Sequence, residues 1–186
     1  MNDTLGSDEE EEEEEENEGR GDQPPTQQDI NAYLTADSGV VNVDQGDVGV
    51  VCDAAIATNG MGPCIAVGKT GTFDGHRFSA LTHWDGTVPG AAEDLVGVLD
   101  DDIRDKMNAV TGRTGTLTDE RYLVVGGRPE SAENQHEIRE VISSLDVSAT
   151  FFLVTQANTT FAAQAESAAM ISETGEFSYQ VVQEGQ

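Results

Sequence analysis

Lysine is nearly missing from this chain: Lys69 and Lys106 are the only two in 186 residues. Arginine supplies the other seven cations against 36 acids, for a net charge of −27. So few cations exclude the basic face that nucleic acid phosphates require, and no nucleic acid partner is expected. Two cysteines are too few for a disulfide framework. No apolar run approaches the ~18 residues that cross a bilayer, and no basic start leads into an apolar leader. The sequence therefore reads as cytoplasmic, with no membrane insertion. Aromatic residues make up only 5% of the chain.

Site motifs are also scarce. No C-x-x-C or H-x-x-x-H pairing exists, so no metal or cofactor is expected. His76 and His136 read as surface residues, and Cys52, inside the apolar run "VGVVCDAAIA", as an inert core residue. "GPCIAVGKT" imitates a phosphate loop but fails on spacing: Gly62 to Gly68 encloses five residues instead of four, and no helix is expected after Thr70.

What is abundant is acid. Residues 1–28 hold twelve acids and one arginine, a charge of −11, so the remaining −16 belongs to residues 29–186. The first segment, with its run of eight glutamates, cannot bury apolar area and is expected to be a disordered tail. Acids spread over the rest suit either an acidic interaction surface or a halophilic protein. Self-repulsion is tolerable where salt shortens the Debye length to about 3 Å, as at 1 M.

From about Asp29 the pattern is strand-rich. "GVVNV", "VGVVCDAAIAT", "CIAVGK", "HRFSALTH", "RYLVVGG", "ATFFLVT" and the closing hairpin "AAMIS-ETGE-FSYQVV" alternate or run apolar between turn residues. Two helices interrupt them. In the first, Leu95, Val98, Leu99, Ile103, Met107 and Val110 fall on one face, with Gly112 as a stop. The second places Ile138, Val141, Ile142 and Leu145 inward, with Ser131 or Asn134 as N-cap. The expectation is one α+β domain over residues 29–186, a mostly antiparallel sheet or sandwich of about seven strands with two helices covering one side.

Residues 58–64, "TNGMGPC", set Cys64 behind two glycines. Gly60 and Gly62 are expected to adopt positive φ and form a tight turn. A hairpin around "TGTFDG" brings Cys64 level with His83, give or take one or two residues of register, at the ~4.5–5.5 Å Cβ spacing of facing residues. A thiol next to an imidazole can be activated as a nucleophile, and amides near it could bind an oxyanion. A small core cysteine beside a polar strand end is the alternative.

The same residues resemble a known family. "T-N-G-M-G-P-C" is similar to the T-x-G-x-G-S-C motif of CheD, the chemoreceptor glutamine deamidase, whose histidine follows on the next strand as His83 does in "LTH". Helix, strand ending in "GG", helix, strand and closing hairpin with "ETG" follow in the family's order, over about residues 39–182. The same core occurs in deamidating toxins related to cytotoxic necrotizing factor. The resemblance implies that Cys64 attacks the carboxamide of a protein glutamine, that His83 activates the thiol and protonates the leaving ammonia, and that Thr58 orients the histidine. It implies a protein substrate, chemoreceptor helices, and admits a CheC-like regulator. Pro63 stands where the family has serine, and "WDG" follows His83. The competing expectation is a catalytically inactive module of this fold with an acidic interaction surface.

Overall fold

The computed structural model describes residues 23–128, 130–155 and 165–183. Most of the acidic tail, residues 1–22, and residues 156–164 of "TQANTTFAAQAES" lie outside the described residues. The α+β class with two helices is found, but the strands are more numerous and less uniformly antiparallel than expected. Among the described residues ten strands form two mixed five-stranded sheets.

One sheet, in the order β1-β10-β9-β4-β2, comprises β1 (Thr26–Gln27), β10 (Phe177–Gln183), β9 (Ala165–Ile171), β4 (Ile56–Met61) and β2 (Val41–Asn42). The other, in the order β3-β6-β5-β7-β8, comprises β3 (Val48–Cys52), β6 (His76–Thr82), β5 (Ile65–Phe73), β7 (Leu117–Gly126) and β8 (Thr150–Val154). Three pairs are parallel: β1 with β10, β2 with β4, and β7 with β8. Thr26–Gln27 pairs with the closing strand, so the chain enters the sheet just before the boundary expected near Asp29.

Helices α1 (Leu95–Thr111) and α2 (Ala132–Ser144) lie on one face of the second sheet. Leu95, Leu99, Ile103 and Met107 of α1, with Ile138 and Val141 of α2, pack against Ile65, Val67, Phe78 and Val124. The other face of that sheet meets the first sheet through Ala66, Leu81, Leu123, Ile56, Ala169 and Ile171. A 3-10 turn at Ile30–Tyr33 covers the outside of the first sheet with Ile30. Gly112, at φ +71°, ends α1, and Ser131 caps α2 by accepting from the Asn134 amide at 3.2 Å.

Three sequence expectations need correction. "VGVVCDAAIAT" is not one strand: it breaks after Cys52, where Asp53 turns left-handed at φ +48°, and the chain passes from one sheet to the other. Val110 is half exposed, and Val96 takes a place in the buried face of α1. "ATFFLVT" is an edge strand with Phe151 and Leu153 exposed, rather than a buried one.

Candidate active site

The break after Cys52 decides where Thr58 goes. It stands on β4, in the sheet opposite the one that carries His83, and its side chain points into the seam between the layers. Thr58 is fully buried and His83 is 4% exposed. The Thr58 hydroxyl lies 2.7 Å from the Val43 carbonyl and 2.8 Å from His83 Nδ1. A hydroxyl has one proton. With that proton donated to Val43, Thr58 must accept from the ring, so Nδ1 carries the hydrogen and Nε2 keeps its lone pair. The backbone of His83 is fixed as well: its amide donates to the Asp47 carbonyl at 3.0 Å, and its carbonyl accepts from the Gly46 amide at 2.8 Å.

Cys64 reaches the same seam by the hairpin. The ladder pairs Phe73 with His76 across an Asp74-Gly75 turn, and Ile65 bridges Trp84. The pairing constant is therefore 149 rather than the 147 that sets Cys64 opposite His83. In this register His83 stands across from Ala66, and Cys64 is its diagonal neighbour, within the tolerance of the expectation. A displacement of two keeps every side chain on its face, whereas a displacement of one would have reversed them. Cys64, Ala66 and Leu81 accordingly share the seam. His83 Nε2 is buried and, among the described residues, has no hydrogen-bond partner, the Cys64 sulfur included.

The double glycine at the end of β7 seats Cys64. The Gly127 amide donates to the Cys64 carbonyl at 3.0 Å. Gly126, at φ +105°, comes so close that a Cβ there would lie 2.4 Å from the same carbonyl. Ser167 on β9 donates to the Met61 carbonyl at 3.2 Å, holding the other end of the loop. Gly60 adopts φ +70° at the bulge in β4, as expected, but Gly62 does not enter the left-handed region. A Cβ on Gly62 would instead sit 3.6 Å from Arg128 Nη2, and the buried Nε of Arg128 has no partner among the described residues.

Burial pushes the Cys64 thiol above its ordinary value, and the Asp85 charge adds to this; its own backbone amide, set against the sulfur, works the other way. Burial holds the His83 imidazole below its ordinary 6.5, against the opposing pull of Asp85 and Asp44. Asp85 itself is held at about 2 by the Thr87 hydroxyl and the amides of Thr87 and Val88. The resting pair is a neutral thiol and a neutral imidazole. Such a pair is not a preformed ion pair, and a proton could pass from thiol to imidazole only by general base transfer.

Beside the loop lies a cavity of about 290 Å³ lined by Pro63, Trp84, Asp85, Glu133 and Glu137 among others. A larger one of about 680 Å³ sits at the far end of β5, around Thr70, Arg77, Arg121 and Asp146, with no cysteine or histidine in its wall. Asp47, Gly46, Ser167 and Arg128 carry no sequence signal for their positions; the double glycine before Arg128 was the one local hint. No protein-family model matches the chain, and no curated protein matches it in sequence.

Proposed function

We propose that the chain is a cysteine-dependent protein glutamine deamidase of the CheD type. The observation that carries this reading is the Thr58–His83 hydrogen bond, which leaves an unpartnered, buried imidazole lone pair on the face occupied by Cys64. A hydroxyl committed to a ring Nδ1–H leaves Nε2 free to take a proton from a nearby thiol.

In this scheme the glutamine carboxamide enters beside Pro63. His83 Nε2 takes the thiol proton as sulfur bonds to the carbonyl carbon, and the oxyanion meets the Cys64 amide. The collapsing intermediate breaks the C–N bond, His83 returns its proton, and ammonia leaves. Water then adds to the thioester with His83 again as base, releasing glutamate and the free thiol. The net change is glutamine plus water to glutamate plus ammonia. Chemoreceptor signalling helices are the proposed substrate.

The test is incubation of the full chain with such a helical domain, following ammonia release and the mass change of each glutamine. Turnover by the wild type, lost in Cys64→Ser and His83→Ala, is expected. The buried, raised thiol and the missing amide at Pro63 favour a second reading, a silent binding module. Its outcome is no turnover, with equal binding by wild type and Cys64→Ser.

A further inference from the structure

The second cysteine does not behave as an inert core residue. Cys52 is half-buried at the end of β3, and the antiparallel pairing with β6 sets it opposite Phe78. Two residues before Phe78 is His76, on the same face and diagonal to Cys52. Strand alternation would send the next side chain, Asp53, to the opposite face. It does not go there, because Asp53 adopts φ +48°, and its carboxylate lies 3.4 Å from the Cys52 sulfur. The outcome is one thiol, one carboxylate and one imidazole whose donor atoms all lie within 4.8 Å of one another.

We propose that Cys52, Asp53 and His76 form a binding site for a zinc-like divalent cation. The donor set is the reason for that class: thiolate and imidazole favour zinc over calcium or magnesium, and three protein ligands leave a fourth position for water. Donors at 2.0–2.3 Å around a tetrahedral ion lie about 3.3–3.8 Å apart, so closure asks for about 1 Å of contraction. His76 and Asp53 are exposed and can rotate to supply it. A thiolate and a carboxylate together balance the charge of a divalent ion. Burial, then the Asp53 contact and charge, raise the Cys52 thiol above its ordinary value, and Lys106 on α1 only partly offsets this, so an entering ion must displace the thiol proton. Sequence spacing hides the site because His76 lies 24 residues after Cys52 and 23 after Asp53, and they meet only through the register of β3 and β6.

Cobalt(II) titrated into the reduced full chain distinguishes this site from loose binding to surface acids. A thiolate ligand gives a near-ultraviolet sulfur-to-cobalt charge-transfer band, which carboxylates do not. One equivalent is expected to produce the band, zinc to displace it, and Cys64→Ser to leave it unchanged. Cys52→Ser should abolish it, and His76→Ala should weaken binding at least about tenfold. Circular dichroism checks that both variants fold, and His76 is exposed enough that its loss should not unfold the chain. No band in the wild type, a band that survives Cys52→Ser, or affinity unchanged in His76→Ala would each overturn the proposal.

Discussion

Thr58 and valine have nearly the same shape, which makes the role of one hydroxyl separable from packing. Thr58→Val removes the acceptor of the His83 ring proton and the donor to Val43 while keeping the volume. Under the deamidase reading, turnover should fall by about 10²-fold or more, because the imidazole is free to present the wrong nitrogen. Thr58→Ser should restore most of it; equal activity in all three would remove Thr58 from the machinery. The pH profile belongs to the same scale. His83 works as a base only when neutral, and its value lies below 6.5, so the acid limb should sit below pH 6.5. The resting thiol is raised above 9.0, so iodoacetamide labelling of Cys64, followed by mass spectrometry, should keep climbing beyond pH 9. A plateau at neutral pH would indicate a preformed ion pair instead. The same depressed imidazole bears on stability. An unfolded His83 takes up its proton near 6.5 and the folded one only below that. Stability is therefore full above that pH and declines as pH falls toward the folded value.

Between elements, the joints matter more than the strands. Gly126→Ala would place a methyl carbon against the Cys64 carbonyl at an unfavourable φ, so either β7 or the cysteine must move. Melting should drop by the equivalent of about 1–3 kcal/mol, with turnover lost more severely than stability alone explains. Lys69, fully buried on β5, ties Glu120 of β7 to Asp100 of α1 and stacks over Tyr122. Lys69→Met leaves two carboxylates facing each other. Urea denaturation should show a loss toward the lower end of about 3–5 kcal/mol, since both acids are 24% exposed and regain water. How far the sequence reveals these elements follows from their chemistry. The α2 face, the α1 face apart from Val96 and Val110, the Gly112 stop, the Asp-Gly turn and the last hairpin are periodic or punctuated, and they read directly. The division of β3 from β4 is not punctuated: "CDAA" contains no glycine or proline, and only a left-handed aspartate marks the change of sheet. Thr58 could therefore be tied to His83 only by the family resemblance, because local pattern gives no account of which sheet a strand joins. Likewise β8 looks like a buried strand by composition, and its edge position depends on strand order, which composition does not encode.

At the scale of the molecule, acids outnumber cations four to one, 36 against 9. One of the two lysines is withdrawn into the core, so it offsets acids inside rather than outside. Raising potassium chloride from 0.1 to about 2 M should raise the thermal midpoint progressively as repulsion is screened. A midpoint indifferent to salt would favour a local, partner-directed role for the acids. The layered arrangement has a further consequence. The imidazole hydrogen is donated by one sheet and received by the other, so it exists only while the two are seated together. It should appear as a slowly exchanging, downfield proton resonance, a vernier on the spacing of the layers. Conditions that let the sheets slip should erase that one line while the far-ultraviolet signal of the helices still stands.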